Sequence, residues 1–188
     1  MENYVYFNGR KLRYGYTTGS SATAATKAAL LLLLGKVEKI EEVEIDVPAG
    51  ERIKIGIKSF EKTKDYATAT VAKDGGDDPD ATHGLEIVSK VSFRKDNKIN
   101  IFGGKGVGKV TKVGLPVEIG KSAINPTPMK MLTSIVEEFL PEGKGVDVEI
   151  SVPLGEEAAK KTMNAKLGII GGISILGTMG IVRPMSEE

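Results

Sequence analysis

Between Thr23 and Leu34 the chain offers a helix with almost no wet face. The run is Thr23-Ala24-Ala25-Thr26-Lys27-Ala28-Ala29, followed by leucine from Leu30 to Leu34, with Lys27 its one charge. Alanine and leucine are strong helix formers, and Gly35 is a natural stop. A helix that is alanine-rich all round is expected to be largely buried, and its short side chains let it lie close against a sheet. Upstream, Tyr16-Thr17-Thr18-Gly19-Ser20-Ser21-Ala22 is crowded with hydroxyls, any of which can cap the helix. A buried helix N-terminus with free N–H groups, a glycine and hydroxyls is also an anion site. Both readings stand, and Thr17, Thr18, Gly19 and Ser20 are the candidate contacts.

The sheet for this helix is found in alternating segments. Val43 to Val47, Ile53 to Lys58 and Tyr66 to Val71 alternate apolar with polar residues. Pro48-Ala49-Gly50 and the charged stretch Glu61 to Asp65 supply the turns. Leu85 to Phe93 and Lys98 to Phe102 read as a hairpin closed by Lys95-Asp96-Asn97. Gly145 to Val152 is a further strand. Residues 1 to 16 read as an extended entry, with Tyr4, Tyr6 and Phe7 available for packing. A second helix starts at Asn125, a good N-cap, with Pro126 at its first position. Met129, Leu132, Ile135, Val136, Phe139 and Leu140 form its core stripe, and Pro141-Glu142-Gly143 ends it. The segment Val43 to Glu51 matches Val148 to Glu156, after which the first copy continues as a strand and the second as a short helix. The fold class predicted is α+β: a mixed or mainly antiparallel sheet with two principal helices packed on it. By analogy it is similar to the βαβ-containing folds of ribosomal protein S5 domain two.

Composition removes several classes of function. With no cysteine and a single histidine, disulfides and thiolate sites are excluded and a zinc site built from protein ligands is not expected. The net charge of +1 lacks the basic excess of a nucleic-acid binder. Ala28 to Leu34 is too short to span a bilayer, and Met1-Glu2-Asn3-Tyr4 has no signal-peptide character. The expectation is a cytoplasmic protein with neither nucleic acid nor membrane as partner. At 188 residues it suits one domain or a tight pair.

Glycine is the outlier, with 23 clustered copies, which points to backbone used as a binding surface. The densest polar stretch is Asp74-Gly75-Gly76-Asp77-Asp78-Pro79-Asp80-Ala81-Thr82-His83-Gly84. Its carboxylates repel one another unless a cation or backbone N–H groups sit among them. It reads either as a solvated acidic turn or as a ligand-facing loop. In the second case Asp77 and Asp78 are binding candidates and His83 is a base or donor whose tautomer Asp80 could fix. Gly103 through Lys109 matches G-x-x-x-x-G-K, but Val110 stands where a P-loop needs Ser or Thr and no helix follows. What survives is a loop of Gly104, Lys105, Gly106, Gly108 and Lys109 able to approach a polyanion, or else a glycine-rich bulge. Near the end, Gly171, Gly172, Ser174 and Thr178 suggest backbone exposed to a ligand. Asn125 joins the candidates. If these loops converge, the cleft has many donors and few strong catalytic groups, which suits positioning chemistry such as methyl transfer better than hydrolysis.

Taken together, these stretches resemble the CbiD family of anaerobic cobalamin biosynthesis, the cobalt-precorrin-5B C1-methyltransferases. The resemblance rests on Gly15-Tyr16-Thr17-Thr18-Gly19-Ser20 with the alanine helix, the whole of Asp74 to Gly84, and Gly106-Val107-Gly108 with Gly114-Leu115. It extends through Ala123-Ile124-Asn125-Pro126 and Leu167-Gly168-Ile169 to Pro184. It implies S-adenosylmethionine as methyl donor and a polycarboxylated tetrapyrrole as acceptor, with cobalt arriving inside the substrate rather than on protein ligands. Lys105, Lys109 and Lys112 would then suit the acceptor's carboxylates. Ser20-Ser21 stands where many members carry a cysteine, which argues against thiol catalysis. Family members continue into another α/β domain after the Arg-Pro-Met-Ser segment. Residues 1–188 are therefore expected to be an N-terminal domain, inactive or weakly active without its C-terminal partner. The alternatives are a small-molecule kinase-like domain using the Gly103–Lys109 loop, and a non-catalytic binding domain that needs a partner.

Overall fold

The computed structural model describes residues 4–184; the N-terminal Met1 to Asn3 and the terminal Met185 to Glu188 of the readings above lie outside them. The chain opens as a hairpin of β1 (Tyr4–Phe7) and β2 (Arg10–Arg13). Asn8 and Gly9 between them both have positive φ, 48° and 74°, which is how a two-residue Asn-Gly turn matches strand twist. The extended entry is thus a hairpin, and Tyr4, Tyr6 and Phe7 stay exposed on it rather than entering the core. β3 (Gly15–Tyr16) then feeds α1 (Thr18–Leu33).

Burial covers 14 of the 16 residues of α1, as its composition demands. Its end is a Schellman turn: Lys36 N–H bonds Leu31 O at 3.0 Å, Gly35 N–H bonds Leu32 O at 3.1 Å, and Gly35 takes φ +70°. β4 (Glu42–Asp46) and β5 (Arg52–Gly56) form a separate hairpin beside it. β6 (Ser59–Lys62), β7 (Tyr66–Ala72), β8 (Glu86–Arg94) and β9 (Ile99–Gly103) follow. Next come the two-residue strands β10 (Gly106–Val107) and β11 (Lys109–Val110), α2 (Pro126–Phe139) and β12 (Gly145–Ser151). Short α3 (Gly155–Ala159), α4 (Asn164–Leu167), β13 (Ile169–Ile170), β14 (Gly172–Ile173) and β15 (Ile181–Val182) complete the chain.

The principal sheet has five strands in the order β6-β7-β8-β12-β9. All its pairs are antiparallel except β12–β9, which the α2 crossover makes parallel. α1 packs on β7 and β8, and α2 packs on α1. α2 also reaches the sheet at β9, so both helices lie on it as expected, and the fold is α+β.

Two strand readings are corrected. The proposed β8–β9 hairpin does not form, because β12 inserts between its arms. Val146, Val148 and Ile150 of β12 are fully buried, so this strand sits in the sheet interior with a partner on each side. The Lys95-Asp96-Asn97 turn arches over Gly145, where a Cβ would meet Lys98 O at 2.6 Å. Arg94 spans the gap, bonding Asp147 at 2.6 Å and Asp96 at 2.7 Å. Second, Glu61 is not in a turn: β6 occupies Ser59–Lys62 and the turn shrinks to the residues after it. Every residue of β6 is exposed, so this edge strand has no alternation to detect. The matching segments Val43 to Glu51 and Val148 to Glu156 lie in different sheets. Gly50 sits in open space, whereas Gly155 packs on the backbone of Gly106.

Candidate functional site

The residues from Ile169 to Val182 run as a strap across the molecule. β13 pairs with β11, β14 pairs in parallel with β10, and Ile175 bridges Ile124. The strap then reaches the start of α1. Leu176 O accepts from Gly19 N–H at 2.8 Å, and Leu176 N–H donates to Thr18 Oγ1 at 2.8 Å. Gly180 O accepts from Ser20 Oγ at 2.7 Å, and Thr17 Oγ1 caps Ser20 N–H at 3.1 Å. Gly19 carries no Cβ because Pro128 and Leu176 O occupy that space. Protein groups thus close the helix N-terminus, which is the capping arrangement. Asn125 stands at the α2 N-cap without a side-chain capping bond, its N–H given to Ile175 O at 3.0 Å. Ser174 is buried with its Oγ 3.5 Å from Asn164 Nδ2, and Gly171 lies in open space at φ +90°.

The glycine loop is also spent internally. Gly106 has φ +78° and presses on Val152 O and Gly155; Gly172 presses in turn on Gly106, and Gly108 on Ile169 and Gly172 O. Gly104 N–H bonds Ile150 O at 2.8 Å. These are the close backbone contacts of a bulge. The loop continues into β11 rather than a helix, so it cannot act as a P-loop. Lys105, Lys109 and Lys112 stay exposed, with the stem of Lys112 over Gly168.

In the acidic loop the cations that the sequence requires are Arg13 and Lys73. The Arg13 guanidinium grips Asp74 with bonds of 2.5 and 2.8 Å. That grip, with Gly76 N–H, holds the Asp74 carboxyl below its usual range and raises Arg13. Asp77 accepts from Arg13 N–H at 2.6 Å and returns its own N–H to Arg13 O at 3.0 Å. Lys73, only 2% exposed, is paired with Asp80. Burial pushes the Asp80 carboxyl up, but Lys73 and Thr82, which bonds it through N–H and Oγ1 at 2.8 and 2.7 Å, outweigh burial and lower it. Asp80 therefore does not orient His83. His83 is exposed, and its Nδ1 accepts from Gly75 N–H at 3.0 Å, so in the neutral ring the proton sits on Nε2. Asp78 is half-buried beside them.

Several clefts open around this frame, and three of them matter here. The first, about 530 Å³, runs along α2 between Lys130, Met131 and Ser134 on one side and Asp46, Val47 and Thr178 on the other. The second, about 510 Å³, lies on the opposite flank of α2, bounded by Phe102, Lys109, Val117, Lys121 and Met129. The third, about 430 Å³, holds Tyr16, Lys54, Lys58 and Asp74, and burial raises the Tyr16 phenol. Of the residues singled out from sequence, Thr178 lines the first cleft and Lys109 the second. The other candidates line neither of these two clefts. Sequence reasoning missed Lys121, Lys130 and Ser134. The polar spacing Thr127, Lys130, Ser134, Glu138 was the available signal, since it marks a second stripe on α2 that the core does not use. Among the described residues no group of three or more His, Asp and Glu could hold a metal ion, and no helix is long and apolar enough to cross a membrane.

A mixed five-stranded sheet with a buried alanine helix, strapped by a glycine-rich terminal segment and flanked by clefts, defines an α+β fold. The chain belongs to the CbiD family, whose model matches residues 5–184. It is 56% identical over its full 188 residues to a Thermoanaerobacter protein (strain X514) named cobalt-precorrin-5B C(1)-methyltransferase, covering 51% of that protein. A protein of the same name from Alkaliphilus metalliredigens is 54% identical over 188 residues, with 50% covered. The chain thus spans about half the length of these curated relatives. The crystal structure of the cobalamin biosynthesis protein CbiD from Archaeoglobus fulgidus superposes with a TM-score of 0.71 at 36% identity, over 98% of this chain and 59% of that one.

Proposed function

We propose that residues 1–188 act as the N-terminal half of a cobalt-precorrin-5B C1-methyltransferase using S-adenosylmethionine. The observation that carries this reading is identity of 54–56% along the entire chain to two proteins of that name. In the reaction an electron pair at C1 of the ring attacks the methyl carbon, the S–CH3 bond breaks, and its electrons return to sulfur as S-adenosylhomocysteine leaves. Such a step asks the protein to align two large ligands and exclude water. The residue inventory suits that task, because the clefts present lysines, hydroxyls and apolar walls rather than a nucleophile. Cobalt belongs to the substrate. His83, through Nε2, is the ring donor of the acidic loop available to a ligand, while Asp80 holds the loop in shape. The kinase-like alternative has no support once Gly103–Lys109 is committed to backbone packing.

The test is a chimera in which this chain replaces the matching half of the Thermoanaerobacter relative. Incubated with cobalt-precorrin-5B and S-adenosylmethionine, it is expected to add one methyl group at C1, read by mass spectrometry and NMR. A folded chimera that adds none, beside an active parent, overturns the proposal. Residues 1–188 alone are expected to be inactive or weakly active, since they span only about half of the relatives' length.

A further inference from the structure

The clefts on the two flanks of α2 differ in charge. The first is lined by Lys130 but also by Asp46 and Glu138. In the second, Lys109 and Lys121 are the charged residues, and none of the described residues lining it is acidic. Neither lysine forms an ion pair with a described residue. Unpaired lysines are common on this surface; what sets these two apart is that they share a concave site whose described lining has no carboxylate, an arrangement whose field favours an anion.

Their backbones are held firmly. Lys109 forms a bridge with Ser122, Val110 N–H bonds Lys121 O at 3.0 Å, and Ala123 N–H bonds Gly108 O at 2.7 Å. The backbones of the two lysines therefore sit on adjacent rungs of a small antiparallel ladder, itself anchored by the packed glycines of the loop, and both residues line the cleft. Ser122 Oγ accepts from Gly103 N–H at 2.8 Å, which leaves its hydroxyl hydrogen for another acceptor. Between the lysines and α2 the walls are apolar: Ile101 and Phe102 of β9, Val117, and Met129 of α2. All four are half-buried. A cleft of about 510 Å³ with apolar walls and cationic corners fits the edge of a broad ring compound with carboxylates on its rim.

We infer that this cleft is the binding site for the carboxylate-bearing edge of a macrocyclic tetrapyrrole, with Lys109 and Lys121 as its cationic contacts. The identity of the ligand rests on the methyltransferase reading; the charge and shape of the site do not. Lys105 and Lys112, the other two lysines expected for this role, lie outside the cleft.

The probe is uroporphyrin III, an eight-carboxylate tetrapyrrole whose fluorescence reports binding to the 188-residue chain. The wild-type chain is expected to bind it with an affinity that falls as salt is raised. The pair Lys109→Glu with Lys121→Glu is expected to weaken binding by about tenfold or more. A control pair with the same change in net charge, Lys62→Glu with Lys64→Glu, is expected to leave it unchanged. Circular dichroism checks that each variant folds, and Lys109→Gln with Lys121→Gln gives a milder second measure, a loss of several-fold. Absence of binding by the wild-type chain overturns the inference, and so does equal loss in the control pair. Either result leaves the chimera assay unaffected, whereas a failed chimera with intact, cleft-dependent uroporphyrin binding removes the methyltransferase reading and keeps the site.

Discussion

The acidic loop from Asp74 to Gly84 and the glycine-lysine stretch from Gly103 to Leu115 look alike from composition. Both gather glycines and charges of one sign, and both read as surfaces turned toward a ligand. In the folded chain they are opposites. The protein answers the acidic loop itself, Asp74 with the Arg13 guanidinium, Asp77 with the Arg13 backbone N–H and Asp80 with Lys73. The other stretch spends its glycines on close backbone packing and leaves Lys109, together with Lys121 further along the chain, without a carboxylate in a cleft. A dense cluster of charge is therefore not in itself a sign of a ligand. What matters is whether the fold has already supplied the counter-charge.

The sharpest break of this comparison is Gly106→Ala. A Cβ there meets Val152 O and its φ of +78° is strained, so the expected loss is about 4 kcal/mol or outright failure to fold. A denaturant midpoint near wild type would show that the loop's glycines are not structural. Next is Asp80→Asn, which leaves the buried Lys73 ammonium without its carboxylate. Removing one partner of such a pair costs about 3 kcal/mol, measured as a fall in urea stability at neutral pH. If stability hardly changes, the loop is not clamped as described.

Arg13→Met is smaller, about 1 kcal/mol, because the pair is partly exposed. Its pH dependence is the diagnostic. Asp74 has its pKa lowered by Arg13 in the folded chain. Its stabilisation is therefore fully present above the ordinary carboxylate range and is lost as pH falls through the folded value. The wild type and Arg13→Met should differ at neutral pH and converge in strong acid; a gap that persists there would refute the electrostatic account. Smallest of all is Lys109→Gln with Lys121→Gln, expected to stay within about 0.5 kcal/mol of wild type. A large loss in thermal melting would mean that those charges are already in use.

Much of the fold was legible, and the failures have physical causes. The alanine run of α1, the Asn125-Pro126 start of α2 and the alternating strands announce themselves through local propensity and period. The Asn8-Gly9 turn was equally local and was passed over. The placement of β12 between β8 and β9 could not be read, since an alternating pattern reports which face is buried but not which neighbour it pairs with. β6 left no trace because none of its residues is buried. In the site, the glycines and hydroxyls near Thr17, Gly106 and Gly172 were read as candidate ligand contacts, and in the structure they pack on or cap other parts of the chain. Their purpose was not visible, because a glycine that admits a ligand and one that admits another backbone look the same in sequence.

By itself the sequence determined that α1 is buried, that α2 has one core stripe, that these 188 residues supply no thiol, and, through motifs in order along the chain, which family this is. Only the tertiary structure decided which polar groups remain available. Hydrogen bonds and ion pairs here link residues far apart in the chain, Arg13 to Asp74 and Thr18 to Leu176 among them. Local sequence specifies a donor or an acceptor, but its partner is chosen by the fold.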